Sequence, residues 1–317
     1  MLTVALVAGL SVAAFWQQWR SIEVELHQRQ HLQAQWLITG ALDWARASVG
    51  EDGARSPKLD HLGEAWAQAV QAASLSDFVQ RRSALATLEA DPDRLDKALL
   101  DLHISDAQGR LNVLNLLEGQ ALSPPWLAVF GRLFANLGLP PEQLKLLAEQ
   151  LRLANLGTAS DSASAYGAAT ALVPLVPTQQ ADLAWLGLAP ATVKALAPHV
   201  SLLPGRLPVN LNTATAPVLQ AVLDMPMAQV QQLMARRQAR PFAQLADAGL
   251  KSPDEDMQAV SSHFFEVQLR LRLGPDAALA RHEHALLQRD GGSVRVLWQR
   301  PQAPQPLTPT LTDPHPP

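Results

Sequence analysis

The chain has 317 residues, 48% of them apolar and 17% charged, with a formal net charge of −4. This composition is globular and long enough for two compact units, or for one domain inserted into another. Its balance lacks the basic footprint of a dedicated nucleic-acid binder. Cysteine is absent, which excludes disulfide staples, thiolate metal sites and a Cys nucleophile while leaving the compartment open.

Residues 1–19 carry no charged side chain, and Arg20 is the first charge. A helix rises about 1.5 Å per residue, so this run covers most of a hydrocarbon core roughly 30 Å thick. Leu2, Val4, Leu6, Val7, Leu10 and Phe15 supply the apolar surface, and Trp16 and Trp19 beside Gln17 and Gln18 supply an interfacial belt. The run therefore reads as a membrane anchor. No basic stretch precedes it and no small-residue cleavage site follows it, so a removable signal peptide is the weaker reading.

No proline lies between Met1 and Ser48, and Leu37, Ala41, Trp44, Ala45 and Ser48 recur at helical spacing. The pattern predicts one helix over 1–48, roughly 70 Å long by the same rise. Its first half would lie in lipid and its second half on a domain.

Further on, Leu102 and Ile104, then Asp106-Ala107-Gln108-Gly109, then Leu111 and Val113 read as two short strands around a turn. From Pro124 to about Leu250 the spacing is helical, as in Phe130, Leu133, Phe134, Leu137 and then Leu144, Leu147, Leu151, Leu153. Residues 157–170, rich in Ser, Ala and Gly, read as a loop. Strands return in Phe265–Leu273, where apolar residues alternate with Glu266, Gln268, Arg270 and Arg272. A hairpin over 286–300 turns at Asp290-Gly291-Gly292, with Val294, Val296 and Trp298 placed on one face.

Strands on both sides of a helical block imply an α+β domain with an all-α domain inserted into it. The expected boundaries are a first α+β part at 49–118, an insertion at 119–255, a second α+β part at 256–300, and a proline-rich tail at 301–317 that cannot build a core.

The usual catalytic and nucleotide-binding motifs are absent, so no enzyme is expected. His282 and His284 flank Glu283 with no third metal ligand in view. Asp91, Asp93 and Asp96 form one cluster of carboxylates, and Asp254, Glu255 and Asp256 another. Both offer oxygens of the kind calcium takes, without the spacing of an EF-hand; helix-capping acids are the plainer account.

Residues 207–250 are similar to the helix-hairpin-helix module of DNA-binding proteins, with a helix cap at Asn212-Thr213-Ala214 and Pro217 in the first turn. That module presents glycine amides to a phosphate. Here the hairpin reads Asp224-Met225-Pro226-Met227, with an acid, a proline and no glycine, so no nucleic acid is expected. Binding through Arg236 and Arg237 is the alternative function.

Taken together, several segments resemble the minor pseudopilin of type II secretion systems called general secretion pathway protein K. They are Phe15-Trp16-Gln17-Gln18, Gly40–Ala45, His61–Ala67, Ile104–Leu116, Pro208–Ala214 and the strand Phe265–Leu273, in that order. The resemblance implies a pilin-like fold, with a long N-terminal helix on an antiparallel sheet and a large helical (SAM-like, helix-hairpin-helix-like) insertion. It implies a place at the tip of a periplasmic pseudopilus, with minor pseudopilins I and J as partners. It also implies a single-pass anchor in the bacterial inner membrane and the bulk of the chain in the periplasm. Most pseudopilins carry a Glu near the start of the mature helix. This chain has no acid before Glu23, as in the K family. Cleavage of a basic leader by the prepilin peptidase is an expectation of the resemblance only, since nothing precedes the apolar run.

Overall fold

In the computed structural model, which describes residues 2–74, 98–159, 174–250, 252–273 and 279–302, helix α1 runs unbroken over Leu2–Arg55. Its 54 residues make it about 80 Å long. It passes Ser48 by two turns because its end has something to pack on. Val49 is buried, and Gly50 and Gly53 let the turn at Gly291–Gly292 sit against the helix backbone. A Cβ on Gly50 would stand 2.9 Å from the Gly292 carbonyl oxygen, and one on Gly53 would stand 2.6 Å from Arg289 Cδ.

The sheet that α1 covers has the order β1-β2-β9-β10-β11, antiparallel throughout: β1 Val70–Ser74, β2 Ala98–Asp106, β9 Phe264–Leu273, β10 Leu279–Asp290 and β11 Ser293–Pro301. Alternation does what the sequence implies. Leu100, Leu102, Ile104, Phe265, Val267, Leu269 and Leu271 point to one face and bury Ala34, Ile38, Ala41, Leu42, Ala45 and Val49 of α1 beneath them. Gly291, at φ +57°, closes the β10–β11 hairpin.

That hairpin departs from strict alternation. Leu286 faces Trp298 while the next residue, Leu287, faces Val296, so the strands slip by one residue. Val294 and Val296 join the core under α1, whereas Trp298 turns to the opposite face beside Leu286. A bulge is invisible to a period-two reading, which put all three on one side.

The residues after Asp106 depart from the expected strand pair. A 3-10 turn over Ala107–Gly109 follows β2, and β3 (Leu111–Asn112) leaves the sheet to pair in parallel with β6 (Val200–Ser201). The chain does not rejoin the five-stranded sheet until β9, whose Phe265 faces Asp106. Between those two points lie short ladders, β4 (Leu117–Glu118) with β5 (Ala121–Leu122) and β7 (Val209–Asn210) with β8 (Gln258–Ala259), and, among the described residues, five α-helices. The helices are α2 Pro124–Asn136, α3 Pro141–Ala159, α4 Pro190–Leu196, α5 Ala216–Leu223 and α6 Met227–Ala239. They have their own core, centred on Trp126, Phe130, Phe134, Leu147, Leu219 and Leu233.

α3 includes Gly157–Ala159; the rest of the expected 157–170 loop, the tail beyond Gln302, and Asp91, Asp93 and Asp96 lie outside the described residues. Among the described residues no helix is long and apolar enough to cross a membrane. The apolar side chains at the start of α1 are bare, however: Val4, Val7, Leu10, Phe15, Trp16 and Trp19 are all exposed.

Candidate functional site

The chain leaves the sheet at Asp106 and returns at Ser262–Phe264, and side chains from five separate segments converge there. Asp106 is buried at the centre. Its Oδ2 accepts from Asn210 Nδ2 at 2.9 Å, Thr213 Oγ1 at 2.6 Å and Ser262 Oγ at 2.6 Å, and its Oδ1 accepts the Gln108 amide at 2.7 Å. Burial pushes the pKa of this carboxyl up, and the Ser262 and Thr213 hydroxyls oppose the shift. Asn210 Nδ2 also donates to the Asp60 carbonyl, which ties the helical region to the loop after α1.

A second carboxylate group lies beside the first. Arg289, buried near the end of β10, donates through Nη2 to both oxygens of Asp60 at 2.7 and 2.6 Å and through Nη1 to Asp52 of α1 at 3.1 Å. Its guanidinium also stacks 4.8 Å above the Phe265 ring. Glu64 completes the group; oxygens of Asp52, Asp60 and Glu64 lie within 4.8 Å of one another. Glu64 Oε2 accepts from the His61 amide at 3.0 Å and from Trp66 Nε1 at 2.7 Å. Desolvation raises the Glu64 pKa to about 7; those two donors oppose the shift, and the Asp52 and Asp60 charges add to it. Three carboxylates at this spacing are a possible cation site, but the Arg289 guanidinium already fills the cation's place on two of them. Sequence reading missed this cluster, because its members Asp52 and Arg289 are 237 residues apart.

Asparagines then fasten the helical region to itself. Asn112 donates to the Leu203 and Gly205 carbonyls at 3.1 and 2.7 Å and accepts the Leu203 amide at 3.0 Å. Asn115 holds Leu207 from both sides, and Asn212 exchanges bonds with the Phe242 backbone at 2.9 and 3.0 Å. Asn212 is therefore a buried strut; the cap of α5 is Thr215. The resembling segments Ile104–Leu116 and Pro208–Ala214, far apart in sequence, face each other here.

The residues singled out for other chemistry serve the same architecture. Arg237 Nη1 donates to the Leu211 carbonyl at 2.6 Å, with burial lowering its pKa to about 10. Arg236 donates to the Asp247 and Ala248 carbonyls at 2.6 and 3.2 Å. Arg237 is buried in this role, and two nitrogens of Arg236 are engaged. The hairpin residue Asp224 takes φ +52° and lies 3.7 Å from Arg132, which itself caps the Ala221 carbonyl. His284 lies 3.3 Å from Glu266, whose burial would raise its pKa; Arg110 at 2.6 Å, together with His284, reverses that and holds it at about 2. Asp254 accepts the Asp256 amide in an exposed turn ahead of β8.

Nothing in these groups sets a nucleophile against a base. What they build is a satisfied polar weld between a stem-and-sheet unit and a helical crown. Comparison with known proteins meets the same two segments. Two family models, each described as "Type II secretion system (T2SS), protein K", match residues 109–205 and 209–263.

Over these residues the chain resembles the type II secretion system protein K family.

Both matches lie in the helical crown, and the second stops at His263, where the chain re-enters the sheet. Type II secretion system protein K of Pseudomonas aeruginosa is 28% identical over 247 residues, covering 71% of this chain and 66% of that protein's length. The fold matches a chain in the crystal structure of the GspK-GspI-GspJ complex from the enterotoxigenic Escherichia coli Type 2 Secretion System. The TM-score is 0.63 at 19% identity, over 87% of this chain and 98% of that one. The pilin-like stem and sheet with a large helical insertion are thus the architecture of this chain.

Proposed function

We propose that this chain is a minor pseudopilin that sits at the tip of the periplasmic pseudopilus, assists its assembly and so supports protein export across the outer membrane. It acts as a structural subunit, not as an enzyme. Its partners are minor pseudopilins I and J, named with K in the complex whose chain it resembles. The observation that carries the reading is the division of α1. Ala34–Val49 is buried on the sheet, while Val4–Val24 exposes valine, leucine, isoleucine, phenylalanine and tryptophan along most of its length. So much apolar surface is stable only in a bilayer or among other helices. The first 19 residues would wait in the inner membrane as a single-pass anchor, with the rest in the periplasm, and later pack in the filament.

The position of the crown fits a terminal subunit. It is welded at Asp60 and Ser262, beyond the C-terminal end of α1, so a further subunit stacked above would meet it. Co-purification of the full chain with pseudopilins I and J from detergent extracts is the test. A stable ternary complex is expected. Recovery of I with J, but never with this chain, would overturn the reading.

A further inference from the structure

The crown overhangs the outward face of the sheet and leaves a cleft of about 790 Å³ between them, a volume in the range of ligand sites. One wall is the 3-10 run Gln180–Leu186 with α4; the other is the outward face of β9–β11, including Trp298. Its apolar lining includes Pro190, Val193 and Leu202.

Charge distinguishes this cleft from a passive gap. Lys194 is exposed at the end of α4 and makes no ion pair among the described residues. The Arg300 guanidinium lies 5.0 Å from the Trp298 ring centroid and, among the described residues, donates to the Thr178 hydroxyl at 3.3 and 3.4 Å without an ion pair. Glu266 is the one carboxylate among the lining residues, and its charge is already matched by Arg110 at 2.6 Å. His284, edge-on to Trp298 at 5.0 Å and 3.3 Å from Glu266, lies on the same wall as Arg300. Two uncompensated cations thus flank an apolar floor and an aromatic ring, an arrangement that leaves carboxylates without competitors and suits alternating acidic and apolar side chains.

We propose that this cleft binds an extended, carboxylate-rich peptide segment of a partner protein. Leucine-type side chains would face Val193 and Leu202, and carboxylates would face Lys194 and Arg300. The proposal is independent of the stem's role in a filament.

The test uses the full chain in an uncharged detergent and a fluorescein-labelled octapeptide alternating glutamate and leucine, followed by anisotropy. Saturable binding is expected. It should weaken about fivefold with Lys194→Ala or Arg300→Ala, each removing roughly 1 kcal/mol of charge contact. It should stay unchanged with Lys145→Ala on α3. Absence of saturation, equal binding of a lysine-leucine octapeptide, or full binding by a Lys194→Ala/Arg300→Ala chain of unchanged melting temperature would overturn it. A chain ending at Gln302 decides one further point. If only that chain bound the peptide, the cleft would be taken by the protein's own residues 303–317, and the partner proposal would fall.

Discussion

Arg289 and Asp60 form a fully buried pair, guanidinium Nη2 to both carboxylate oxygens at 2.7 and 2.6 Å, that joins β10 to the loop following the stem helix. The same arginine holds Asp52 on α1 itself. Stem, sheet and crown therefore share one cation.

Removing that cation leaves carboxylates buried without a partner. Arg289→Met should destabilise the protein by about 3–5 kcal/mol, the cost of breaking a buried pair from one side. Arg289→Met/Asp60→Asn should recover part of the loss. Denaturant unfolding of both variants checks this, and equal stability of the single variant and the parent would contradict the role given to Arg289.

Glu64 makes stability depend on pH with a definite sign. Its pKa is raised from 4.5 to about 7 in the folded chain, so the folded state holds a proton that the unfolded chain has released in that window. Its contribution to stability is full below 4.5 and is lost as pH rises to about 7. Glu266 acts oppositely and elsewhere: held at about 2, it contributes above 4.5 and is lost as pH falls towards 2. Urea midpoints from pH 4.5 to 8 should fall less steeply in Glu64→Gln than in the parent, with the variant the more stable of the two at pH 8.

Gly53 and Gly40 lie on one helix yet should respond in opposite directions. At Gly53 a methyl group would collide with Arg289 and the Gly291 carbonyl, whereas at Gly40 it meets nothing within 4 Å. Gly53→Ala should lower the melting temperature by several degrees. Gly40→Ala should leave it unchanged or raise it, since alanine favours a helix over glycine by about 1 kcal/mol.

Asn112 holds four backbone groups of the crown: two carbonyls and the Leu203 and Leu114 amides. Asn112→Leu should cost about 2–4 kcal/mol, because those groups stay buried and unpaired. Hydrogen exchange at Leu203 should accelerate ahead of exchange in β9 if the crown loosens before the sheet.

The stem and β9 were legible in the sequence because each rests on a single period, 3.6 residues for α1 and two for Phe265–Leu273. Trp298 was misplaced because a bulge resets that period between Val296 and Trp298. β3 was taken for a hairpin partner of β2 because turn chemistry at Asp106-Ala107-Gln108-Gly109 looks the same whether the chain returns or departs. The weld was not legible at all. Asp60, Asp106, Asn210, Ser262 and Arg289 carry no local pattern, and only the folded topology brings them together. Arg236 and Arg237 carry the alternative reading of nucleic-acid binding, and the backbone carbonyls they satisfy are likewise set by tertiary packing.

The unbroken course of α1 has a mechanical consequence. The sheet grips the helix at two levels, at His31 beside Arg281 and at Gly50 against Gly292, and no hinge lies between them or below. A twist or thrust applied at the foot of such a shaft reaches its top without slack. Whatever the base does, the crown must do at the same moment and through the same angle.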